Sequence, residues 1–275
     1  MRKLFLFSLT VLLSLSFSLC QNKREQQTLP YIGLAKFADG IRHWELYSEI
    51  RSNERYDTSD VIGIAQNLLN YQNDDGGWPK NIDWLAIIDP DSVTGNLSER
   101  YRQSTYDNRN IFPQIEYLSA VYDYTGGENY RKAAEKGFRY ILNTQYPGGG
   151  WRGWDADALT FNDDVMTGIL NLLLDVKTGR SIYSWIDSSL RKELIVAYEK
   201  GLQVVLKCQI ELNGVKTAWC QQHDPRTYEP VQGRSYEHPS ITARESSDIV
   251  LFLMRIEPHE PEVDRAIGAA VAWFR

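Results

Sequence analysis

The sequence predicts an all-α fold, a barrel-like α/α toroid of tandem antiparallel helix pairs with long irregular loops gathered on one rim. Three observations predict it: apolar residues recur at helical spacing through most of the chain, strand-like alternation is scarce, and one turn motif repeats. The motif is a glutamine ending a helical pattern, then a glycine-rich turn with tryptophan: Gln72 to Trp78, Gln145 to Trp151, and the looser Gln209 to Gly214 followed by Trp219-Cys220. Its intervals of 73 and 64 residues are too long for one helix and too short for a domain, so each copy marks a helix pair.

The chain opens on Met1-Arg2-Lys3 and an apolar run from Leu4 to Leu19, a charged start and a short core built like an export signal. Residues 1–19 read as that signal, 20–30 as a short linker and 31–275 as the folded domain. Cys20 stands where a bacterial lipoprotein is acylated, although Leu19 is not the small residue expected before it, so lipidation stays open. The expected location is outside the cytoplasm: periplasmic, secreted, or lipid-anchored at the bacterial surface.

Val61, Ile64, Ala65, Leu68 and Leu69 make an amphipathic helix behind the candidate caps Thr58-Ser59-Asp60. Its partner is expected to start near Asp107 and run through Ile111, Ile115, Leu118 and Tyr122 to Gly126-Gly127. The second pair reads as Tyr130 to Leu142 and Val165 to Val176, the third as Leu190 to Val205 and a return after Arg244-Glu245 through Ile249 and Leu253. From Glu262, Val263, Ile267, Ala270, Val271 and Phe274 form a further apolar face that reaches Arg275 with no stop signal, which reads as a domain lacking its C-terminal segment. Antiparallel pairs bury such faces best by curling side by side, which puts every long loop on one rim.

Composition narrows the function. Charged residues are 24% of the chain and the net charge is −6, so a nucleic-acid surface is not expected. Cys208 and Cys220 read as two buried thiols rather than a disulfide framework.

On the rim, Asp107, Asp163, Asp164 and Glu245 stand where returning helices begin. Acids there cap free amides and complement the helix dipole. Carboxylates converging from neighbouring helix starts also suit a hard cation such as calcium, and zinc spacings are missing from the sequence. Trp78, Trp151, Trp154 and Trp219 either plug the core or line a sugar-stacking groove, with Lys80, Arg152, Lys216, Arg234 and Arg244 interleaved. His223 beside Asp224 reads as an oriented base or as a structural histidine. Ser235 and Ser240 lack a nucleophile-elbow setting, which argues against a serine hydrolase.

Taken together, Asp39-Gly40 ahead of His43, Gly76 to Asn81, Tyr106-Asp107-Asn108, Phe161 to Asp164, Trp219 to Pro225 and Gly233 to Ser240 resemble the pectate lyases of polysaccharide lyase family ten. The resemblance spans Tyr31 to Arg275. It implies a helical toroid-like enzyme that cleaves polygalacturonate by calcium-assisted β-elimination. It further implies that Asp107 with Asp163 or Asp164 or both binds calcium, that Asn108 places the sugar, and that Arg234 is the catalytic base. Lys80, Trp151, Arg152, His223 and Arg244 are the other implied substrate contacts, and the protein is expected to act as a monomer. Two rivals stay open: an inverting glycoside hydrolase using Asp107 and Asp164 as acid and base, and a pectin-binding protein without turnover. A terpene cyclase shares the Gln-x-x-x-Gly-x-Trp spacing, but Asp155-Ala156-Asp157-Ala158 does not supply its proton donor.

Overall fold

The computed structural model describes residues 31–50, 52 and 54–275; the expected export signal, Cys20 and the linker lie outside the described residues. Ten α-helices are found among the described residues: α1 (Ala38–Tyr47), α2 (Val61–Asn70), α3 (Pro90–Asn96), α4 (Glu99–Arg102), α5 (Phe112–Thr125), α6 (Glu128–Asn143), α7 (Val165–Lys177), α8 (Ser188–Lys207), α9 (Ala243–Leu253) and α10 (Pro261–Phe274). The few strands are two residues long. The chain is therefore mostly helical, as the periodicity predicts, and none of the described helices is long and apolar enough to cross a membrane.

The helices form two series. Helices α5, α7 and α9 pack successively against one another, and α2, α6, α8 and α10 do the same beside them. Within the pairs, α5 lies on α6 and α7 on α8. The core between the series is aliphatic and aromatic, with Ile64, Leu68, Ile115, Leu118, Phe138, Ile141, Ile169, Leu173, Leu194 and Val204 fully buried.

The repeated turns hold this packing together by hydrogen bonds that a helix end otherwise lacks. Each tryptophan lies beneath its turn and donates its indole N–H to a carbonyl of the preceding helix: Trp78 to Leu68 at 2.7 Å, Trp151 to Ile141 at 2.9 Å, Trp219 to Val205 at 2.7 Å. Each glutamine amide crosses to the next helix of the second series: Gln72 to Ala133 at 2.9 Å, Gln145 to Ala197 at 2.8 Å, Gln209 to Ala266 at 2.8 Å. The turn glycines permit the close approach. Gly76 and Gly149 have φ of +91° and +103°, and a Cβ there would sit 2.3 Å from the Lys136 carbonyl oxygen and 2.5 Å from that of Lys200.

Two expectations need correction. The return of the first pair starts at Phe112, not near Asp107, because Asn108, Arg109 and Ile111 all have positive φ and cannot continue a right-handed helix. Nor are the rim loops irregular throughout, as the segment from Gln209 to Thr242 shows. It carries a hairpin, β2 (Glu211–Leu212) with β3 (Val215–Lys216), and β4 (Gln222–His223), which pairs antiparallel with β1 (Leu159–Thr160) of the preceding loop. Cys208 and Cys220 are separate buried thiols.

Candidate active site

Hydrogen bonds between loops set the site. Asn110 donates to the carbonyls of Trp78 and Thr105 at 2.7 and 2.9 Å, and Pro79 bridges to Ser104, so the first tryptophan turn and the Asp107 loop form one unit. The β1–β4 pairing and a Gln222 to Asn162 bond at 3.1 Å tie the loops carrying Asp163 and Arg234 to each other. At the junction is a cavity of about 390 Å³ lined by Asp39, Arg42, His43, Asn108, Arg109, Asp163, Arg234 and Arg244.

Backbone strain concentrates here. Asn81, Asn108, Arg109, Ile111, Asp163 and Asp164 are left-handed, with φ between 53° and 75°. Ile111 is the centre of a γ-turn, closed by the Phe112 N–H to Asn110 carbonyl bond at 3.1 Å, an unfavourable conformation for a β-branched residue. These turns swing Asp107 and Asp163 off the helix starts. Asp60 caps α2 as expected, accepting from the Gly63 N–H at 2.9 Å, but the rim acids cap nothing: α5 and α7 have no side-chain cap, although Asp164 stands at the N-cap position of α7.

Asp107 and Asp163 instead meet in side-chain contact. Burial, the charge of Asp107 and a hydrogen bond with it push Asp163 up to about 7, with Asp39 adding to the effect and Arg234 opposing it. Lys80, buried, pairs with Asp107 and lies 4.6 Å from the Trp154 ring centroid. Asp164 is turned to Arg109, Nε to Oδ2 at 2.8 Å, as an ion pair without hydrogen-bond alignment. Asn108, which lines the cavity, donates to Asn81 Oδ1 at 2.6 Å.

Arg234 is half-exposed and bonded to Glu237 through Nε at 3.0 Å and Nη2 at 2.5 Å, with its guanidinium 5.0 Å from the Tyr236 ring. The Glu237 bonds raise it further above its already high value.

Of the implied substrate contacts, Arg244 and Asn108 line the cavity and Lys80 braces it. Arg152 stands apart, bonded to the Trp154 carbonyl at 3.2 Å, on a second cavity of about 690 Å³ that also carries Arg100, Tyr106, Tyr140 and Trp154. Two contacts are corrected. Trp151 is 0% exposed, a core plug with no face for a ligand, and Trp78 and Trp219 are the same; Trp154 alone of the four keeps an accessible surface. His223 is also 0% exposed: Nδ1 donates to the Tyr228 carbonyl at 2.7 Å and Nε2 accepts from the Cys220 N–H at 3.1 Å. Burial lowers it to about 4, so it is a neutral staple of the third loop, not a substrate contact.

Arg42 and Arg109 are cavity residues that were not expected from the sequence, while Asp39, His43 and Glu237 entered only within longer motifs. Asp39, Arg42 and His43 share one face of α1 at i, i+3 and i+4, a polar stripe that was legible. Arg109 had no such signal.

Among the described residues no group of three or more His, Cys, Asp or Glu forms a ready metal cluster. The carboxylates gathered here are the touching pair Asp107 and Asp163, with Asp39 close to Asp163. Two acids forced together and sharing a proton fit a hard cation in that proton's place.

The pectic acid lyase family model matches residues 72–275. A mutant of the family 10 polysaccharide lyase from Cellvibrio cellulosa, in complex with trigalacturonic acid, superposes with a TM-score of 0.68 at 27% identity, covering 89% of this chain and 73% of that one. The family 10 polysaccharide lyase from the same organism gives 0.67 at 28% identity, covering 90% and 73%. A search of curated proteins returned no match. With the family match extending over most of the chain, from the first glutamine turn onward, the protein belongs to the pectic acid lyases of polysaccharide lyase family 10.

Proposed function

We propose that this lyase cleaves polygalacturonate by calcium-dependent β-elimination in the cavity between Asp107, Asp163 and Arg234. The observation that carries the reading is the contact of Asp107 with the cavity carboxylate Asp163, in a cavity otherwise rich in arginine. A related enzyme holds trigalacturonic acid, a ligand whose carboxylates suit Arg42, Arg109 and Arg244 here.

Bound calcium supplies the charge that neutralises a uronate carboxylate and acidifies the proton at its α carbon, C5. Asp107 and Asp163 would hold it, with Lys80 fixing Asp107 and Asp164 kept by Arg109. Arg234 takes the C5 proton; the C5–H electrons form the C4=C5 double bond, the C4–O bond breaks, and the departing oxygen gains a proton from solvent. Arg234 must first lose a proton of its own. The positive charge of the neighbouring Arg42, Arg109 and Arg244 would favour that neutral form.

The same reading extends to architecture and location. The two helix series form an arc of an α/α toroid over residues 31–275. The protein acts as a monomer outside the cytoplasm, after export through residues 1–19, with Cys20 the point of any lipid anchor.

Incubation with polygalacturonate tests the reaction. Ultraviolet-absorbing unsaturated ends should form, stop with a chelator and resume with calcium. Saturated products that persist in chelator would make the protein a hydrolase. Binding without cleavage would make it a pectin-binding protein.

A further inference from the structure

We infer that Glu237 is the positioning residue of Arg234: its buried carboxylate fixes the guanidinium over the cavity, although Glu237 does not line that cavity itself. The inference rests on the assignment of Arg234 as base.

Four bonds make the grip. Glu237 Oε1 accepts from Arg234 Nε and Nη2, Oε2 accepts from the Arg234 backbone N–H at 2.8 Å, and the Glu237 N–H returns to the Arg234 carbonyl at 2.8 Å. Both residues thus sit in one closed four-residue turn. The exposures differ sharply: the Glu237 side chain is 8% exposed and that of Arg234 45%. The carboxylate is the fixed member and the guanidinium the one presented to solvent.

The chain has made room for this carboxylate. A Cβ on Gly233 would lie 2.4 Å from Glu237 Oε2 and 2.5 Å from Gln222 Oε1, so any larger residue would displace one of these side chains. Burial alone would raise Glu237, but its bonds to Arg234 overcome that and hold it below the usual carboxylate range. An arginine on a flexible loop has many rotamers, and a base must be aimed within a few tenths of an ångström. Glu237 removes that freedom.

The grip also sets when Arg234 can act. The groups facing the guanidinium are Glu237 and Tyr236 from its own turn, Asp107 and Asp163 across the cavity, Arg244 from α9, Arg109 from the Asp107 loop, and Asp39, Arg42 and His43 from α1. Of these Glu237 has the largest effect in keeping Arg234 protonated. Lyase activity should therefore need alkaline pH, and weakening the grip should move that requirement down.

The test uses the full chain with Glu237→Gln and Glu237→Asp, reading unsaturated-end formation against pH and the slowly exchanging arginine Nε–H signal by nitrogen-15 NMR. Glu237→Gln should stay folded, lose about 10- to 100-fold in kcat with little change in KM, as expected for one charge-assisted bond aimed at the reacting group. Its rising pH limb should shift down by about one unit or more. The protected Nε–H signal, identified by its loss in Arg234→Lys, should disappear, and Glu237→Asp should recover part of both. Wild-type kcat and pH profile in Glu237→Gln would overturn the inference. So would failure of both variants to fold, which makes Glu237 a purely structural residue. Failure of the base assignment looks different: Arg234→Ala would remain active while the Nε–H signal still vanished in Glu237→Gln.

Discussion

The Trp151 indole nitrogen donates to the Ile141 carbonyl at 2.9 Å, closing the C-terminal end of α6 from beneath with the ring sealed in the core. The ring does two jobs there, filling volume between α6 and α8 and satisfying a carbonyl that the end of a helix leaves open.

Trp151→Ala should therefore cost about 3–5 kcal/mol of stability, as for other buried aromatic truncations. Trp151→Phe, which keeps most of the volume and loses the bond, should cost about 1–3 kcal/mol. Calorimetry measures both. The folded Trp151→Phe protein should show an unchanged KM for polygalacturonate, whereas a raised KM would return Trp151 to the groove.

Asp163 makes metal-free stability fall with pH. Its folded-state value of about 7 lies above the ordinary 3.8, so the folded protein binds the extra proton, and its contribution is lost as pH rises through 7. Asp163→Asn should stabilise the calcium-free protein at pH 8 by roughly 1–3 kcal/mol, after discount for partial exposure. Calcium should raise the melting temperature of the wild type at pH 8 and leave that of Asp163→Asn unchanged. An equal calcium effect on both would remove Asp163 from the cation site.

His223 acts in the opposite sense. Its folded value of about 4 lies below the ordinary 6.5, so the unfolded chain takes up the proton first, and stability falls as pH drops from about 6.5 towards 4. The loss amounts to roughly 3 kcal/mol at the low end. His223→Asn should be less stable at neutral pH and should show a shallower slope between pH 6.5 and 4. An unaltered slope would mean the acid sensitivity comes from elsewhere.

Gly149→Ala should be among the costliest single-methyl additions in the protein. The new Cβ would meet the Lys200 carbonyl oxygen at 2.5 Å on a backbone with φ of +103°. We expect a loss of at least about 2 kcal/mol. Gly148→Ala is the control, since its nearest neighbour, the Tyr228 hydroxyl at 3.2 Å, ends a side chain that can move.

Helix identity was legible because apolar spacing reports burial directly: the pattern from Val165 to Val176 became α7, and Tyr130 to Leu142 lies within α6. The false start at Asp107 was not legible. An acid before an apolar run reads as a cap, and only backbone geometry shows Asn108, Arg109 and Ile111 turning left-handed. The tryptophans misled for a related reason. Composition places Trp151 in a loop, but burial depends on what lies under the loop, and here that is the packed ends of helices. Asp107 and Asp163 were paired in the sequence because each precedes a returning helix, whereas Arg42 and Arg109 belong to no repeated feature.

The glutamine ties have a bearing on descent. Every tie reaches forward, from the end of one unit to a carbonyl in the unit after it, so neighbouring copies share a standard coupling. A gene encoding such a chain could lengthen by duplicating a whole cassette, since each newcomer brings both halves of the connector. Excising part of a cassette would strand one half, and selection would tolerate that far less readily.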